Sequence, residues 1–383
     1  IVHRGQGKWY PGEPLPRWNI DLQWRTDGQP LWSDQTLFAD PWATDAKPAN
    51  PAAAEAVATN IRTILGLPAE QVFAAYEDPL AKIAQDVRRP DGPKPDDAAN
   101  RGDLNVTELD KEVTEPVGWV IPINTNDGEW TSPQWRFRRG RLVLAPGTSA
   151  VGLRLPLDSI SWHDPEFPGE PSYLTAGEPL DPEIPRVTVT DPDEAPTTAL
   201  AIEERDGLVH VFLPPTDRLE DYVALLRVIE QAVTEAGVQI VLEGYGPPPD
   251  ARLARLTVTP DPGVIEVNVQ PTATWAEQRE LITTLYEQAR QARLSTEKFD
   301  LDGLHTGTGG GNHLTLGGRS PERSPLLRRP DLLASLIRYW QRHPSLSYLF
   351  SGRFIGPTSQ APRFDEGRPE AVYEMEIALQ EVA

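Results

Sequence analysis

The sequence contains no cysteine among its 383 residues. This absence excludes disulfide bonds, a thiolate nucleophile and cysteine-ligated zinc, so cysteine proteases and transglutaminases are not candidates. No apolar run approaches the ~20 residues that cross a bilayer, and the N-terminus lacks the layout of a signal peptide. We therefore expect a soluble protein without a membrane partner, and the missing cysteines are compatible with the cytoplasm.

Positive charge is also scarce, because 36 lysines and arginines face 57 aspartates and glutamates, which gives a net charge of −21. This charge repels nucleic-acid backbones, so no nucleic-acid partner is expected. A phosphate ligand would have to be held by backbone amides, a few arginines or a divalent cation. The chain begins at Ile1 and has one methionine, Met375, so we expect it to be part of a longer protein.

The chain is long enough for two or three domains. Its composition changes along its length, and hairpins interleave with helices in the C-terminal part. This pattern predicts an α+β fold, with helices on one face of a mainly antiparallel sheet. The predicted divisions are a Trp/Pro-rich and helical segment at 1–100, an antiparallel β region at 101–162, a Pro/acidic linker or loop at 163–200 and a core at 201–383.

Periodic patterns predict individual helices and strands. Two capping boxes, Asp217–Glu220 and Thr274–Glu277, indicate helix starts, and Pro260–Gly263 suits a hairpin turn. The predicted helices are Pro51–Leu65, Ala69–Ile83, the segment from Asp217 to Gly237, the segment from Thr274 to Leu294, Pro330–Arg342 and Ala371–Glu381. The predicted strands are Gly118–Ile123, Gln134–Arg138, Arg141–Leu144, Val151–Leu155, Leu208–Leu213, Val238–Leu242, Leu253–Thr259 and Val264–Val269.

A glycine-dense turn followed by a short alternating strand occupies residues 304–318, with His305 and His313 on either side of the turn. Glycines let backbone amides approach an anion, so the segment favours phosphate or metal binding. It is not a Walker A loop, because no Lys-Ser/Thr pair follows the glycines. In the alternative interpretation the glycines only permit a turn, and His313 caps a loop through hydrogen bonds.

Polar residues alternate along the strand 264–270, where Glu266, Asn268 and Gln270 share one face. This acceptor-rich set suits a hard cation such as Mg²⁺, and Glu243 at the end of another strand is a second candidate carboxylate. The alternative is an ordinary solvated face. Arg319 and Arg363 are candidate phosphate clamps or surface charges.

Four stretches together resemble a known family: Lys8–Trp18, Gly152–Ser159, Gly263–Pro271 and Leu304–Gly318. They are similar to the bacterial amidoligase family, a branch of the carboxylate-amine ligase superfamily related to glutamine synthetase and glutamate-cysteine ligase. The resemblance covers nearly the whole chain. Family proteins typically carry a transglutaminase-like domain upstream and more ligase sequence downstream, so we expect these further domains and part of the site to lie outside the chain.

The resemblance implies a sheet curved into a half-barrel whose concave face holds ATP and Mg²⁺ or Mn²⁺. It implies metal binding by Glu243, Glu266 and His313. Thr315 stands where glutamine synthetase has a second histidine. The implied nucleotide- or phosphate-binding residues are Gly307, Gly309, Gly310, Gly311, Asn312, Thr315 and Asn268, with His305, Arg319 and Arg363 as substrate or phosphate clamps.

The implied reaction joins a peptide or amino-acid carboxylate to an amine. ATP would phosphorylate the carboxylate to an acyl phosphate, and the amine would then displace the phosphate and form an amide or isopeptide bond. Such chemistry depends on positioned phosphates and neutralised charge. The alternative is a non-catalytic module with the same fold that binds a peptide or a partner domain.

Overall fold

A computed structural model gives the fold and divides the chain into two units, Ile1–Arg255 and Leu256–Ala383. The structure describes residues 1–13, 15–43, 51–80, 113–137, 140–160, 175, 177–192, 195–261, 264–295, 297–299, 301–303, 305–306, 315–318, 321–343, 377 and 380.

The described residues contain fifteen strands and five α-helices. The strands are β1 Val2–Gln6, β2 Trp18–Arg25, β3 Phe73–Tyr76, β4 Gly118–Pro122, β5 Asn124–Asn126, β6 Glu129–Pro133, β7 Leu142–Val143, β8 Val187–Thr190, β9 Ala199–Arg205, β10 Leu208–Leu213, β11 Ile240–Gly244, β12 Leu253–Asp261, β13 Val264–Asn268, β14 Lys298–Phe299 and β15 His305–Thr306. The helices are α1 Pro51–Ile64, α2 Leu219–Ala236, α3 Trp275–Gln291, α4 Pro325–Arg328 and α5 Pro330–Arg342.

The main sheet of the first unit has the strand order β2-β1-β11-β10-β9-β4-β3-β7. Most neighbours are antiparallel, but β11 runs parallel to both β1 and β10, and β7 runs parallel to β3. Helices α1 and α2 pack against one face of this sheet and form the larger hydrophobic core with it. The predicted mixed fold, with a large and mostly antiparallel sheet and several helices, is confirmed.

The unit β10-α2-β11 follows from the sequence pattern. Parallel strands need a long crossover, which α2 supplies here. One apolar stripe of this helix is buried, including Tyr222, Leu226, Ile229 and Val233, and each such side chain contributes roughly 1.5–3 kcal/mol on burial. Gly237 ends the helix as predicted, with a left-handed φ of 66°.

Two helix predictions differ from the structure. The segment Ala69–Ile83 was expected to be helical, but residues 69–76 form a 3-10 turn at Ala69–Gln71 followed by β3, and residues 81–83 lie outside the described residues. Strand pairing with β4, which buries Ala75, overrides the local helix propensity. The Asp217 capping box is also wrong: α2 begins at Leu219 with Arg218 as N-cap. The Asp217 carboxylate instead accepts the backbone N–H of Asp127.

Two predicted strands are also wrong. Val151–Leu155 contains a 3-10 turn at Val151–Leu153, whose first N–H binds the Glu203 carboxylate instead of a strand ladder. Residues 134–137 are not a strand, because the chain leaves the ladder after Pro133 and buries Trp135. Conversely, β1 and β2 lie in the Trp/Pro-rich segment 1–100, for which no strand was predicted, and β8 lies within the segment expected to be a linker or loop.

The second unit contains the β12–β13 hairpin expected around Pro260–Gly263. Its helix α3 begins at the predicted capping box, where the Thr274 hydroxyl accepts the N–H of Glu277. Helix α3 ends at Gln291, three residues before the predicted end, and α5 has the predicted bounds. Most of the predicted helix Ala371–Glu381 lies outside the described residues.

Candidate functional site

Glu243 lies near the end of β11 on the face of the sheet opposite α1 and α2, called here the non-helical face. Its neighbours Ile240 and Leu242 point to the helices and are buried in the larger core, so strand alternation turns Glu243 the other way. Sheet register places Glu243 beside Phe212 of β10 and Arg4 of β1. Glu243 is 7% exposed, which is unusual for an ionised side chain.

Three polar side chains surround this carboxylate, and together with it they form what we call the Glu243 cluster: Glu203, Arg205, His210 and Glu243. Arg205 donates from Nη2 to Glu243 Oε2 at 2.6 Å and from Nη1 to Oε1 at 3.2 Å. His210 Nδ1 lies 3.3 Å from Glu243 Oε2. Arg205 Nη1 also donates to Glu203 Oε1 at 2.6 Å. One guanidinium therefore bridges two buried carboxyl groups.

A tight hairpin assembles half of this cluster. Asp206 and Gly207 both have positive φ, 56° and 80°, which is the backbone of a type I′ turn and suits an Asp-Gly pair. This turn fixes the register of β9 against β10, so Glu203 faces His210 directly. We did not predict Glu203, Arg205 or His210 as site residues. The Asp206–Gly207 turn was the available signal, because Glu203 and His210 lie equally far from it along the chain and therefore face each other across the hairpin.

Burial and charge move the pKa values of the two carboxyl groups in opposite directions. Burial alone would raise the pKa of Glu243, but hydrogen bonds from His210 and Arg205 outweigh it and lower the pKa to about 2. Burial raises the pKa of Glu203, and Arg205 offsets this only in part. Glu243 is thus a firmly ionised carboxylate beside a carboxyl group that holds its proton more readily.

The Glu243 cluster has a deficit of positive charge, since two carboxyl groups share one guanidinium. A proton on Glu203, or an added cation, would remove that deficit. Carboxylate oxygens are suitable donors for Mg²⁺ or Mn²⁺, so the donor chemistry fits a divalent cation. Among the described residues, however, no three His, Asp or Glu side chains form a ready metal site. Any cation at Glu243 must displace Arg205 and take further ligands elsewhere.

The non-helical face is covered on one side of the cluster and open on the other. The turn at Val151–Leu153 covers it, with the Val151 N–H donating to Glu203 Oε1 at 2.9 Å. Toward β1 and β2 the face carries exposed apolar side chains on either side of Arg4. These are Val2 at 43%, Leu22 at 41%, Trp24 at 39% and Trp18 at 50% exposure. A ligand can therefore approach the cluster from the β1–β2 side.

In the second unit, Glu266 and Asn268 lie on one face of β13, as expected. Asn268 Nδ2 donates to Glu266 Oε1 at 2.9 Å. Register places Thr259 and Thr257 of β12 opposite these two residues, so the hairpin presents a polar face. The other face carries Val267 and the exposed Ile265.

A family model described as "Putative amidoligase enzyme" matches residues 1–183 and 175–383, which together span the whole chain. The chain belongs to this amidoligase family. No curated protein and no solved structure matches the chain. Family membership agrees with the resemblance and indicates a ligase that forms amide bonds. Among the described residues, no helix of this amidoligase is long and apolar enough to cross a bilayer.

The remaining predicted site residues of the amidoligase are placed only in part. Thr315 is exposed. The backbone of His305 pairs with Phe299 in the short β14–β15 hairpin. The others lie outside the described residues, so their roles stay predictions: Gly307, Gly309, Gly310, Gly311, Asn312, His313, Arg319 and Arg363.

Proposed function

We propose that this chain is the ligase part of an ATP- and Mg²⁺- or Mn²⁺-dependent amidoligase that joins a peptide or amino-acid carboxylate to an amine. The reaction would proceed through an acyl phosphate. The observation that carries the proposal is Glu243: a buried carboxylate with a pKa of about 2 on the non-helical face of the sheet, in a chain that belongs to an amidoligase family.

When bound, ATP would supply the phosphoryl group that activates the carboxylate, and the divalent cation would neutralise charge on the phosphates. The protein's part is to hold these groups in position. Glu243 would bind the cation with one or both carboxylate oxygens, and Glu203 would keep Arg205 nearby after it leaves Glu243. The freed guanidinium is planar and always charged, so it suits a phosphate or a substrate carboxylate.

The open part of the non-helical face supports a peptide rather than a small free acid as the carboxylate substrate. Val2, Leu22 and Trp24 offer apolar surface on the same face as Glu243. Arg4 lies beside Glu243 on the same strand as Val2, and its guanidinium is 5.9 Å from the centre of the Trp42 ring. A peptide chain could pack on the apolar side chains while Arg4 pairs with its carboxylate.

We further propose that the protein belongs to the glutamine synthetase superfamily, with a half-barrel whose concave side is the non-helical face, and that a transglutaminase-like domain lies upstream. We also propose metal binding by Glu266 and His313 and a cytoplasmic location. The polar face of the β12–β13 hairpin supports a cation-binding role for Glu266.

The proposal is tested by calorimetric titration of ATP with Mg²⁺ and in excess chelator. Because the chain carries a charge of −21, ATP should bind measurably only when a divalent cation is present. Glu243→Gln should weaken this binding at least about tenfold. Glu235→Gln should not, since Glu235 is an exposed residue of α2 and serves as the matched control.

Two results would overturn the proposal. ATP affinity that is equal with and without chelator would show that no cation bridges the nucleotide. Unchanged affinity in folded Glu243→Gln would show that the carboxylate only stabilises the fold. If the chain binds peptides but no nucleotide under any condition, the non-catalytic binding module is the correct function.

A further inference from the structure

A second group of polar side chains lies on the opposite face of the β1–β2 hairpin. Strand pairing places His3 opposite Asp21 and Gly5 opposite Asn19. Side chains alternate along β1, so His3 points away from the face that holds Arg4 and Glu243. His3 is 0% exposed and Asp21 is 2% exposed. This group is therefore separate from the Glu243 cluster.

Several atoms of this group are buried without a hydrogen-bond partner among the described residues: both ring nitrogens of His3, Asn19 Oδ1 and Gln23 Nε2. Buried polar atoms in native proteins are almost always paired, and unpaired ones commonly face an ion or another bound polar group. At least one ring nitrogen of a neutral histidine is an acceptor, and so is the amide oxygen of Asn19. With the Asp21 carboxylate, the group is rich in acceptors.

The acceptor atoms point into a common space. His3 Nδ1 lies 3.8 Å from Asp21 Oδ2. Two ligand atoms that are each about 2.1 Å from one cation lie at most about 4.2 Å apart, so this spacing allows a shared cation. A Cβ on Gly5 would lie 2.1 Å from Asn19 Oδ1 and 3.3 Å from His3 Cε1. The imidazole and the amide oxygen thus converge over Gly5.

Two neighbouring residues border this group. The Tyr222 hydroxyl of α2 donates to Gln23 Oε1 at 2.9 Å, which fixes one end of the Gln23 amide. The backbone of Gly246 lies close to the carboxylate, because a Cβ there would lie 3.7 Å from Asp21 Oδ2. These two contacts restrict the space around Asp21 and Gln23.

We propose that His3, Asp21 and Asn19 bind a divalent transition-metal cation, with Zn²⁺ preferred over Mg²⁺. An imidazole nitrogen with two oxygen donors suits Zn²⁺, whereas Mg²⁺ needs near-octahedral oxygen ligands and retains water. Because the ligands connect β1 with β2 beneath α2, this cation stabilises the hairpin and takes no part in the reaction proposed at Glu243. The alternative is a buried ion pair between protonated His3 and Asp21.

The test is the metal content of the untagged full chain expressed with added zinc. We expect about one Zn²⁺ per chain, released slowly to chelator because the site is buried. His3→Gln should lose the metal. His343→Gln is the matched control, since His343 is exposed in α5's terminal region and should not affect metal content. Glu243→Gln should also keep the zinc, which separates this site from the proposed function.

A measurement on the unmodified chain covers the case in which His3→Gln does not fold. Ring-nitrogen NMR should show the His3 signals at the shifts of a metal-bound neutral imidazole, and chelator treatment should change them. A chain without zinc whose His3 ring carries protons on both nitrogens would overturn the proposal in favour of the ion pair. Zinc that persists in folded His3→Gln would overturn it as well.

Discussion

Arg205 and Glu243 are joined by two hydrogen bonds, Nη2 to Oε2 at 2.6 Å and Nη1 to Oε1 at 3.2 Å. The carboxylate proposed to bind a metal ion is thus already bound by a cation of the protein. Since Arg205 also pairs with Glu203, it can leave Glu243 without losing every charged partner. An exchange of guanidinium for a divalent cation would couple metal binding to a movement of Arg205.

Arg205→Gln tests this exchange. Removing the competing guanidinium should increase the affinity of the chain for Mn²⁺ about tenfold, while any ligase turnover falls because the anion-binding group is lost. Calorimetry or electron paramagnetic resonance of Mn²⁺ measures the affinity. Arg290→Gln, in an exposed pair with Glu287, is the matched control. Mn²⁺ affinity that stays constant or falls would contradict the exchange.

Acid should remove a stabilising contribution of Glu243. Its folded-state pKa of about 2 lies below its usual value of 4.5, so the contribution is fully present above pH 4.5 and is lost as the pH falls toward 2. The shift corresponds to about 3 kcal/mol. The ionisable groups next to Glu243 are Arg205, His210 and Glu203, together with Arg4 on the neighbouring strand. The test is urea unfolding of the native chain and of Glu243→Gln between pH 7 and pH 3. The difference between their unfolding free energies should shrink as the pH falls, and a difference that stays constant would contradict this prediction.

Glu203 should show the opposite dependence on pH. Burial raises its folded-state pKa above 4.5, so the native state is favoured at acid pH and loses this advantage as the pH rises through the raised value. Glu203→Gln should flatten that part of the profile. It should cost less than about 1 kcal/mol at pH 7, because the amide oxygen still accepts the Val151 N–H. A loss as large as that of Glu243→Gln would show that an ionised Glu203 is required.

Gly244→Ala should destabilise the first unit by more than about 2 kcal/mol. Gly244 has a φ of 102°, and an added Cβ would lie 2.6 Å from the backbone N and O of Leu213. Gly237→Ala is the matched control, because Gly237 also has positive φ but has nothing within 4 Å of the added atom. It should cost only about 1–2 kcal/mol. Equal unfolding free energies for the two variants would exclude the steric clash.

Local sequence patterns predicted those helices, caps and turns whose structure depends on residues close together in the chain. The apolar stripe of α2, the Gly237 cap and the Thr274 capping box can be recognised in the sequence, because each depends on residues within a few positions of each other. Local patterns gave wrong predictions where the structure depends on residues far away in the sequence. Ala69–Ile83 has helical composition, yet pairing with β4 makes part of it a strand. The Val151 turn depends on Glu203, which lies far away in sequence.

The sequence identified individual candidate residues of the site but not the contacts between them. Glu243 and Glu266 were recognisable as carboxylates on strands, but the pattern did not show that Arg205 binds the first. The pair Glu203–His210 could have been derived from the Asp206–Gly207 turn, which fixes the register. The group at His3 was missed although Trp18–Arg25 alternates between apolar and polar residues. The structure buries the polar side chains Asp21, Gln23 and Arg25 and exposes Leu22 and Trp24, which is the reverse of what such alternation normally indicates.

The position of β1 has a consequence for synthesis on the ribosome. This strand lies between β2 and β11 and pairs in parallel with β11, which comes near the opposite end of the first unit's chain. During translation one edge of the β1–β2 hairpin therefore stays unpaired until β11 has emerged from the ribosome. Such distant pairing makes folding slow and exposes the nascent hairpin to aggregation. Chaperone dependence during expression should consequently be concentrated in the interval before β11 leaves the exit tunnel.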